Sequence, residues 1–137
     1  MNSGFEDCSV LNELLDQHGD DAWPIVFAEF QRQRKPNTDA MADLALYNFT
    51  EMRDRVADPR FLLQKKIEGK ISTQFPGRWT PLYSQVTFSD TPYAEAWAAG
   101  QRQDAIMGRL MPHIQIEADF DQPAVQDLVH REMSAQA

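Results

Sequence analysis

Hydrophobic residues recur at three- and four-residue steps along most of the chain, which is the spacing of helices with one buried face. The pattern predicts helices over about 3–18, from residue 23 to before Pro36, over 38–56, over 58–75, from 91 to before Pro112, and over 123–133. Gly19 and the pair Pro76-Gly77 are typical of helix ends.

Residues 80–88 favour β-structure but have no partner strand, so we expect an irregular connector there. The last segment is weakly amphipathic, which favours a partly mobile tail. The prediction is an all-α fold, an irregular bundle of five or six helices.

The segment 38–56 has the clearest helical signal, with Thr38 in the position of an N-cap. At 100° per residue, one face collects the apolar side chains of Met41, Leu44, Ala45, Met52 and Val56. Asn48 falls near the centre of this face, with Glu51 and Arg55 on its shoulder. A buried amide without partners costs on the order of 1–3 kcal/mol. Either Asn48 bonds a backbone carbonyl and Glu51 pairs with Arg55, or these groups line a ligand site; periodicity leaves both open.

Composition narrows the classes of function. The 137 residues are 42% hydrophobic and 25% charged, which is typical of one globular domain. The net charge of −8 and the pI near 4.7 argue against nucleic acid and anionic membrane surfaces as partners. The longest apolar run, residues 22–28, is too short to span a bilayer. Cys8 is the single cysteine, so no internal disulfide is expected and the cytoplasm is the expected compartment. Its helical position predicts an inert core residue.

Motifs for catalysis are absent from the sequence. His18, His113 and His130 lack metal-ligand spacing, and no Gly-rich phosphate loop or nucleophile elbow occurs. We therefore predict no catalytic residue and no metal site. Tyr83 stands in the connector, close to Phe88. Such a tyrosine either anchors the connector to the core or offers its ring and hydroxyl to an aromatic ligand.

Several separated segments resemble kynurenine 3-monooxygenases, a family of FAD- and NADPH-dependent aromatic hydroxylases. The resemblance is carried by residues 1–8 (MNSGFEDC), 42–53 (ADLALYNFTEMR), 75–76, 81–89 (PLYSQVTFS) and 92–93. These segments follow the family's order and spacing and cover most of residues 1–111. Beyond about Met111 the resemblance fades.

The resemblance implies a function and a set of site residues. In this family the opening Met-Asn lies against the flavin ring, which implies that Met1 and Asn2 contact FAD. The Asn-x-x-Glu-Met line faces the substrate, which implies that Asn48 binds the amino-acid end of L-kynurenine. Glu51 and Met52 would line the same pocket, and Tyr83 would close it. The implied reaction is hydroxylation of L-kynurenine to 3-hydroxykynurenine with FAD and NADPH, in tryptophan degradation.

The resemblance also implies a division of the chain. Residues 1–20 would form a flavin-adjacent helix packed on an N-terminal FAD-binding domain, and residues 21–137 a helical substrate-side domain. In this family the Rossmann-type FAD domain precedes the opening motif, so a truncation, a split gene or a wrongly assigned start codon is expected. The chain alone should then be inactive. Two alternatives remain: a standalone helical module that binds aromatic amino acids or a separate flavin-domain chain, and a purely structural helical bundle.

Overall fold

The computed structural model describes residues 2–19 and 21–135, without the side chain of Asn2. Six α-helices form within these residues: α1 (Asn2–His18), α2 (Trp23–Thr50), α3 (Pro59–Gln74), α4 (Leu82–Phe88), α5 (Tyr93–Leu110) and α6 (Pro123–Ser134). A π-helix, Glu51–Arg55, continues α2, and two 3₁₀-helices, Met111–His113 and Glu117–Asp121, lie between α5 and α6. The described ranges contain no β-strand. The predicted all-α fold is therefore confirmed.

Most predicted helix ends are confirmed, and their chemistry is visible. The α1 helix ends at Gly19, whose φ of +81° lies in the left-handed region that glycine adopts without strain. The α3 helix begins after Asp58, whose Oδ1 accepts a hydrogen bond from the Arg60 amide at 2.8 Å. Pro59 occupies the first helical position, where a missing N–H breaks no bond.

The prediction of two helices separated at Pro36 is wrong, because α2 runs continuously through this proline. Thr38 is accordingly not an N-cap. Its Oγ1 donates to the Arg34 carbonyl at 2.6 Å, and the Asn37 side chain donates to the Gln33 carbonyl at 3.3 Å. Proline removes one backbone donor and disturbs the preceding turn. The donor lost at Pro36 belonged to the Arg32 carbonyl, and these side-chain bonds do not replace it, so packing of α2 against α1 and α5 must compensate for the loss.

The predicted irregular connector is also wrong, because residues 82–88 form the short helix α4. Pro81 stands at its N-cap position, and the Gln85 side chain donates back to the Thr80 carbonyl at 2.7 Å. The helix packs on α5, where Leu82 approaches Gly100. Tertiary packing thus overrides the β-propensity of this stretch.

The main hydrophobic core lies where α3, α5 and α6 meet. Its fully buried members include Ile67, Ile71, Trp79, Met107, Leu110, Ile114, Val129 and Met133. The predicted helix over 123–133 is confirmed as α6, which buries Val125, Val129 and Met133 in this core. The Arg78 guanidinium donates to the Met133 carbonyl at 2.6 Å, and Arg109 pairs with Glu132 at 2.6 Å.

A smaller contact joins α1 to the first half of α2. Arg34 is buried and donates to Asp7 at 2.6 Å, while Glu6 lies 3.0 Å away. Because Asp7 faces α2, its neighbour Cys8 is turned by about 100° along the helix and is exposed. The prediction that Cys8 is a buried core residue is therefore wrong. Phe5, from the predicted apolar stripe of α1, is exposed as well.

Among the described helices, none combines the length and the apolar character that crossing a lipid bilayer requires.

Candidate functional site

A cleft of about 390 Å³ opens between the end of α2, the π-helix and α3 on one side and α4 and α5 on the other. Its wall combines polar and apolar side chains. The lining residues are Tyr47, Asn48, Glu51, Met52, Val56, Phe61, Lys65, Glu68, Pro81, Leu82, Tyr83, Gly100, Gln103 and Asp104. The structure therefore brings together all four predicted substrate residues, Asn48, Glu51, Met52 and Tyr83, in one cavity. Their roles remain predictions.

The π-helix explains which side chains α2 presents to this cleft. In a π-helix the backbone bonds join residues five apart, and not four. Val56, five residues after Glu51, accordingly lines the cleft, whereas Arg55 does not. The alternative that paired Glu51 with Arg55 is therefore not what the structure shows. Glu51 lies instead 3.5 Å from the Lys65 ammonium of α3.

Glu51 is the most buried charged group in the cleft, with 5% of its surface exposed. Within the described part of the chain, its Oε1 atom has no hydrogen-bond partner. The 3.5 Å ion pair to Lys65 exceeds the usual hydrogen-bond length of about 2.7–3.2 Å, so it attracts the charge without satisfying the lone pair. This oxygen is enclosed by protein atoms, so a ligand could reach it only if a neighbouring side chain moved.

Lys65 occupies the centre of a small charge network. Its Nζ atom lies 3.1 Å from Glu68 Oε2 and 5.1 Å from the centre of the Phe61 ring. Burial alone would lower the pKa of Lys65, but the carboxylates of Glu68 and Glu51 outweigh burial and hold that pKa above its ordinary value. Lys65 is therefore a firmly cationic group.

Tyr47 connects α2 to α5 across the cleft. Its hydroxyl donates to Asp104 Oδ2 at 3.0 Å, and its ring meets Trp97 edge-on with centroids 5.6 Å apart. Burial, followed by the charges of Asp104 and Glu51, raises the pKa of Tyr47 well above its ordinary value. Tyr47 therefore stays a neutral hydrogen-bond donor.

Asn48 and Tyr83 stand between the cleft and a second, apolar cavity of about 230 Å³. The second cavity is lined by Met41, Leu44, Ala45, Tyr47, Asn48, Leu82, Tyr83 and Val86. Asn48 is half-buried, while 49% of Tyr83 is exposed. Burial and the charge of Glu51 raise the pKa of Tyr83, against the opposing effect of Lys65. A ligand in the cleft would thus meet an amide and a neutral phenol beside an apolar chamber.

The predicted flavin contacts cannot be placed in this geometry. Met1 and the side chain of Asn2 lie outside the described residues. The described ranges also contain no cluster of His, Cys, Asp or Glu that could hold a metal ion.

Sequence reasoning assigned four of the fourteen lining residues to the site and missed the other ten, among them Tyr47, Lys65, Glu68 and Asp104. Lys65 and Glu68 are three residues apart and pair with each other, so from sequence they resemble an ordinary ion pair on a solvated helix face. Lys65 and Glu68 can be recognised as lining residues only once α3 is known to pack beside α2. The local sequence carries no signal for that packing.

The chain was also compared with known proteins. No family model matches it. Curated kynurenine 3-monooxygenases do match, with 50% identity over 129 residues in Flavobacterium johnsoniae and 49% over 129 residues in Christiangramia forsetii. Each alignment covers 94% of this chain and 29% of the relative. The kynurenine 3-monooxygenase of Myxococcus xanthus is 42% identical over 134 residues, which is 98% of this chain and 28% of the relative.

The chain therefore spans less than a third of the length of these relatives, and the matched segment is their C-terminal part. By sequence, this chain corresponds to the C-terminal part of the kynurenine 3-monooxygenase family.

Proposed function

We propose that this chain supplies part of the substrate pocket of a kynurenine 3-monooxygenase that hydroxylates L-kynurenine to 3-hydroxykynurenine. The observation that carries the proposal is the meeting of Asn48, Glu51, Met52 and Tyr83 in one cleft whose wall includes a buried carboxylate, that of Glu51. A volume of about 390 Å³ lies within the usual range of roughly 300–1,000 Å³ for small-molecule sites.

The charges of the cleft favour one orientation of the substrate. Three carboxylates, those of Glu51, Glu68 and Asp104, face one ammonium group, that of Lys65. An excess of negative charge attracts the α-ammonium of an amino acid and repels its carboxylate. We therefore assign the α-ammonium to the acidic part of the cleft, beside the Glu51 carboxylate and the Asn48 amide. The substrate carboxylate then points out of the cleft, towards cationic groups of another part of the enzyme.

Apolar groups suit the aromatic end of the substrate. Met52 and Tyr83 flank the cleft with exposed surfaces of 66% and 49%. A bound aromatic ring would cover both side chains, and a thioether beside an aromatic ring is a favourable contact. Since both are exposed without ligand, their burial contributes to affinity.

FAD does not fit the described residues alone, because they contain no strand and hence no βαβ unit for its ADP half. The proposal therefore places the FAD-binding domain outside these residues and keeps NADPH as the co-substrate. The flavin would supply the oxygen chemistry. Residues 1–20 are proposed to pack on that domain. Phe5 of α1 and Trp23, Ile25 and Phe27 of early α2 expose apolar surface that such a contact would cover.

The alternative of a standalone binding module is not favoured, because the relatives are whole kynurenine 3-monooxygenases that match 94–98% of this chain.

A hybrid enzyme tests the proposal. In the Flavobacterium johnsoniae relative, the segment aligned with this chain is replaced by this chain. With FAD and NADPH, the hybrid should form 3-hydroxykynurenine from L-kynurenine. The substitution Asn48→Ala should raise the KM for L-kynurenine on the order of tenfold, as expected for one lost hydrogen bond to a charged ligand.

The matched control is Gln101→Ala, which removes an exposed amide on α5 outside the cleft. This variant should keep the KM of the parent hybrid. A folded, flavin-loaded hybrid that forms no product would refute the proposal. An unchanged KM in the Asn48→Ala hybrid would remove Asn48 from the pocket.

A further inference from the structure

Helix α4 is held against α5 by contacts at its beginning. Leu82 of α4 lies against Gly100 of α5. One turn further along α5, the Gln103 side chain donates to the Thr80 carbonyl at 2.9 Å. The same carbonyl accepts a second hydrogen bond, at 2.7 Å, from the Gln85 side chain of α4. The Thr80 carbonyl therefore connects α4 to α5 directly before α4 begins.

The short helix α4 needs such contacts to keep its place. None of its seven described residues, Leu82–Phe88, is buried, and isolated helices shorter than about 12–15 residues are marginal in water. Trp79, which is 1% exposed, fixes the point at which the chain leaves the core. The hydrogen bond from Gln103 then fixes the direction in which the chain continues into α4.

Tyr83 depends on this arrangement because it lies in the first turn of α4, close in sequence to the Thr80 carbonyl. Its side chain is 49% exposed and stands between the cleft and the apolar cavity. A half-exposed side chain is held by few neighbours, so its position follows that of the helix that carries it. Gln103 lines the same cleft and is therefore close enough to control the position of this wall.

We propose that Gln103 is a positioning residue, which holds the first turn of α4 against α5 and thereby places Tyr83 at the wall of the cleft for the aromatic ring of the substrate. The inference rests on the proposed function and adds a residue of α5 to it. Gln103 acts through the Thr80 carbonyl and needs no contact with the substrate. Its loss therefore weakens substrate binding only as far as Tyr83 contributes to that binding.

Hydrogen exchange of the full 137-residue chain tests the positioning without a ligand. Gln103→Met keeps the length of the side chain and removes its donor. The amides of residues 85–88, which α4 protects, should then exchange on the order of fivefold faster, as expected for one lost hydrogen bond. The amides of α3 and α6 should keep their rates. The matched control is Gln101→Met, an exposed residue of α5 outside the cleft, which should change neither set of rates.

The hybrid enzyme measures the consequence for the substrate. Gln103→Met should raise the KM for L-kynurenine on the order of fivefold, whereas Gln101→Met should leave the KM unchanged. A double-mutant cycle with Tyr83→Ala separates positioning from direct contact. If Gln103 acts through Tyr83, adding Gln103→Met to Tyr83→Ala should change the KM by less than about twofold.

Unchanged exchange of residues 85–88 in Gln103→Met would overturn the inference and leave the proposed function standing. Faster exchange in α3 and α6 as well would overturn it, because Gln103 would then stabilise the whole chain. A full rise in KM on top of Tyr83→Ala would overturn it too, since Gln103 would then act on the substrate without Tyr83. If the unmodified hybrid enzyme is folded and flavin-loaded but forms no product, the proposed function itself fails, and the inference fails with it.

Discussion

Gly100 allows α4 to approach α5 closely, and replacing it with alanine gives a sharp test of the cleft geometry. An added Cβ would lie 2.8 Å from Leu82 Cδ2 and 3.1 Å from Cδ1. Since real contacts are longer, Leu82 would have to move, and Leu82 lines the cleft. Its displacement would change the shape of the cavity.

Gly108, in the same helix, provides a matched control. An added Cβ there meets no atom within 4 Å. Gly108→Ala should therefore stabilise the chain by up to about 1 kcal/mol through helix propensity alone. Gly100→Ala has the same intrinsic gain, opposed by about 1–3 kcal/mol of overpacking. The lower part of this overpacking range applies, because the atoms that the new Cβ would approach are methyl groups of the flexible Leu82 side chain. We expect the Gly100 variant to be about 1–2 kcal/mol less stable than the Gly108 variant.

Urea unfolding of both variants measures this difference, provided that the m-values agree. Titration with L-kynurenine adds a second measurement, in which only Gly100→Ala should weaken binding. Equal stabilisation by both substitutions would refute the close approach of α4 to α5 at this position.

Three further predictions concern stability and use urea unfolding of the whole chain. Met133→Ala should lower the free energy of unfolding by about 2–5 kcal/mol, because this side chain is 1% exposed in the core; a change below 1 kcal/mol would contradict the packing of α6. Asp7→Asn should cost about 1–3 kcal/mol, since Asp7 bonds the buried Arg34 at 2.6 Å, whereas the half-exposed Glu6→Gln should cost less than about 1 kcal/mol. Asp119 accepts hydrogen bonds from two backbone amides, and these bonds lower the pKa of its carboxyl group in the folded chain. The stability that Asp119 contributes is therefore present above about pH 4 and is lost as the pH falls through the lowered pKa of the folded state. Asp119→Asn should therefore make the free energy of unfolding depend less on pH below about pH 4. An unchanged dependence would show that Asp119 does not contribute to acid unfolding.

The helices could largely be predicted from sequence because their ends are set by local chemistry. Asp58-Pro59 begins α3 and Gly19 ends α1, and in both cases the signal lies within a few residues. At Pro36 and at residues 82–88 the prediction was wrong because the contacts that decide the structure lie far away in the sequence. Packing on α1 and α5 keeps α2 helical through Pro36, and packing on α5 stabilises α4.

The candidate site was predictable only in part. The residue pattern singled out Asn48, with Glu51 and Met52 on the same helix face and Tyr83 in the connector, as candidate ligand contacts. Family resemblance then favoured this alternative over a structural role. That apolar face was ambiguous, because the pattern does not distinguish a wall of the core from a wall of a cleft. Met52 is 66% exposed and belongs to the cleft.

The α3 helix links the core to the candidate site, and this link explains how the cleft keeps its geometry. At 100° per residue, Phe61, Lys65 and Glu68 share one side of α3, roughly 100° around the axis from Ile67 and Ile71. Both isoleucines are fully buried, so α3 cannot rotate without opening cavities in the core. The same packing that stabilises the fold therefore fixes Lys65 beside Glu51. Because the charge pair is held by core packing, its geometry does not depend on a bound ligand, as a preformed substrate site requires.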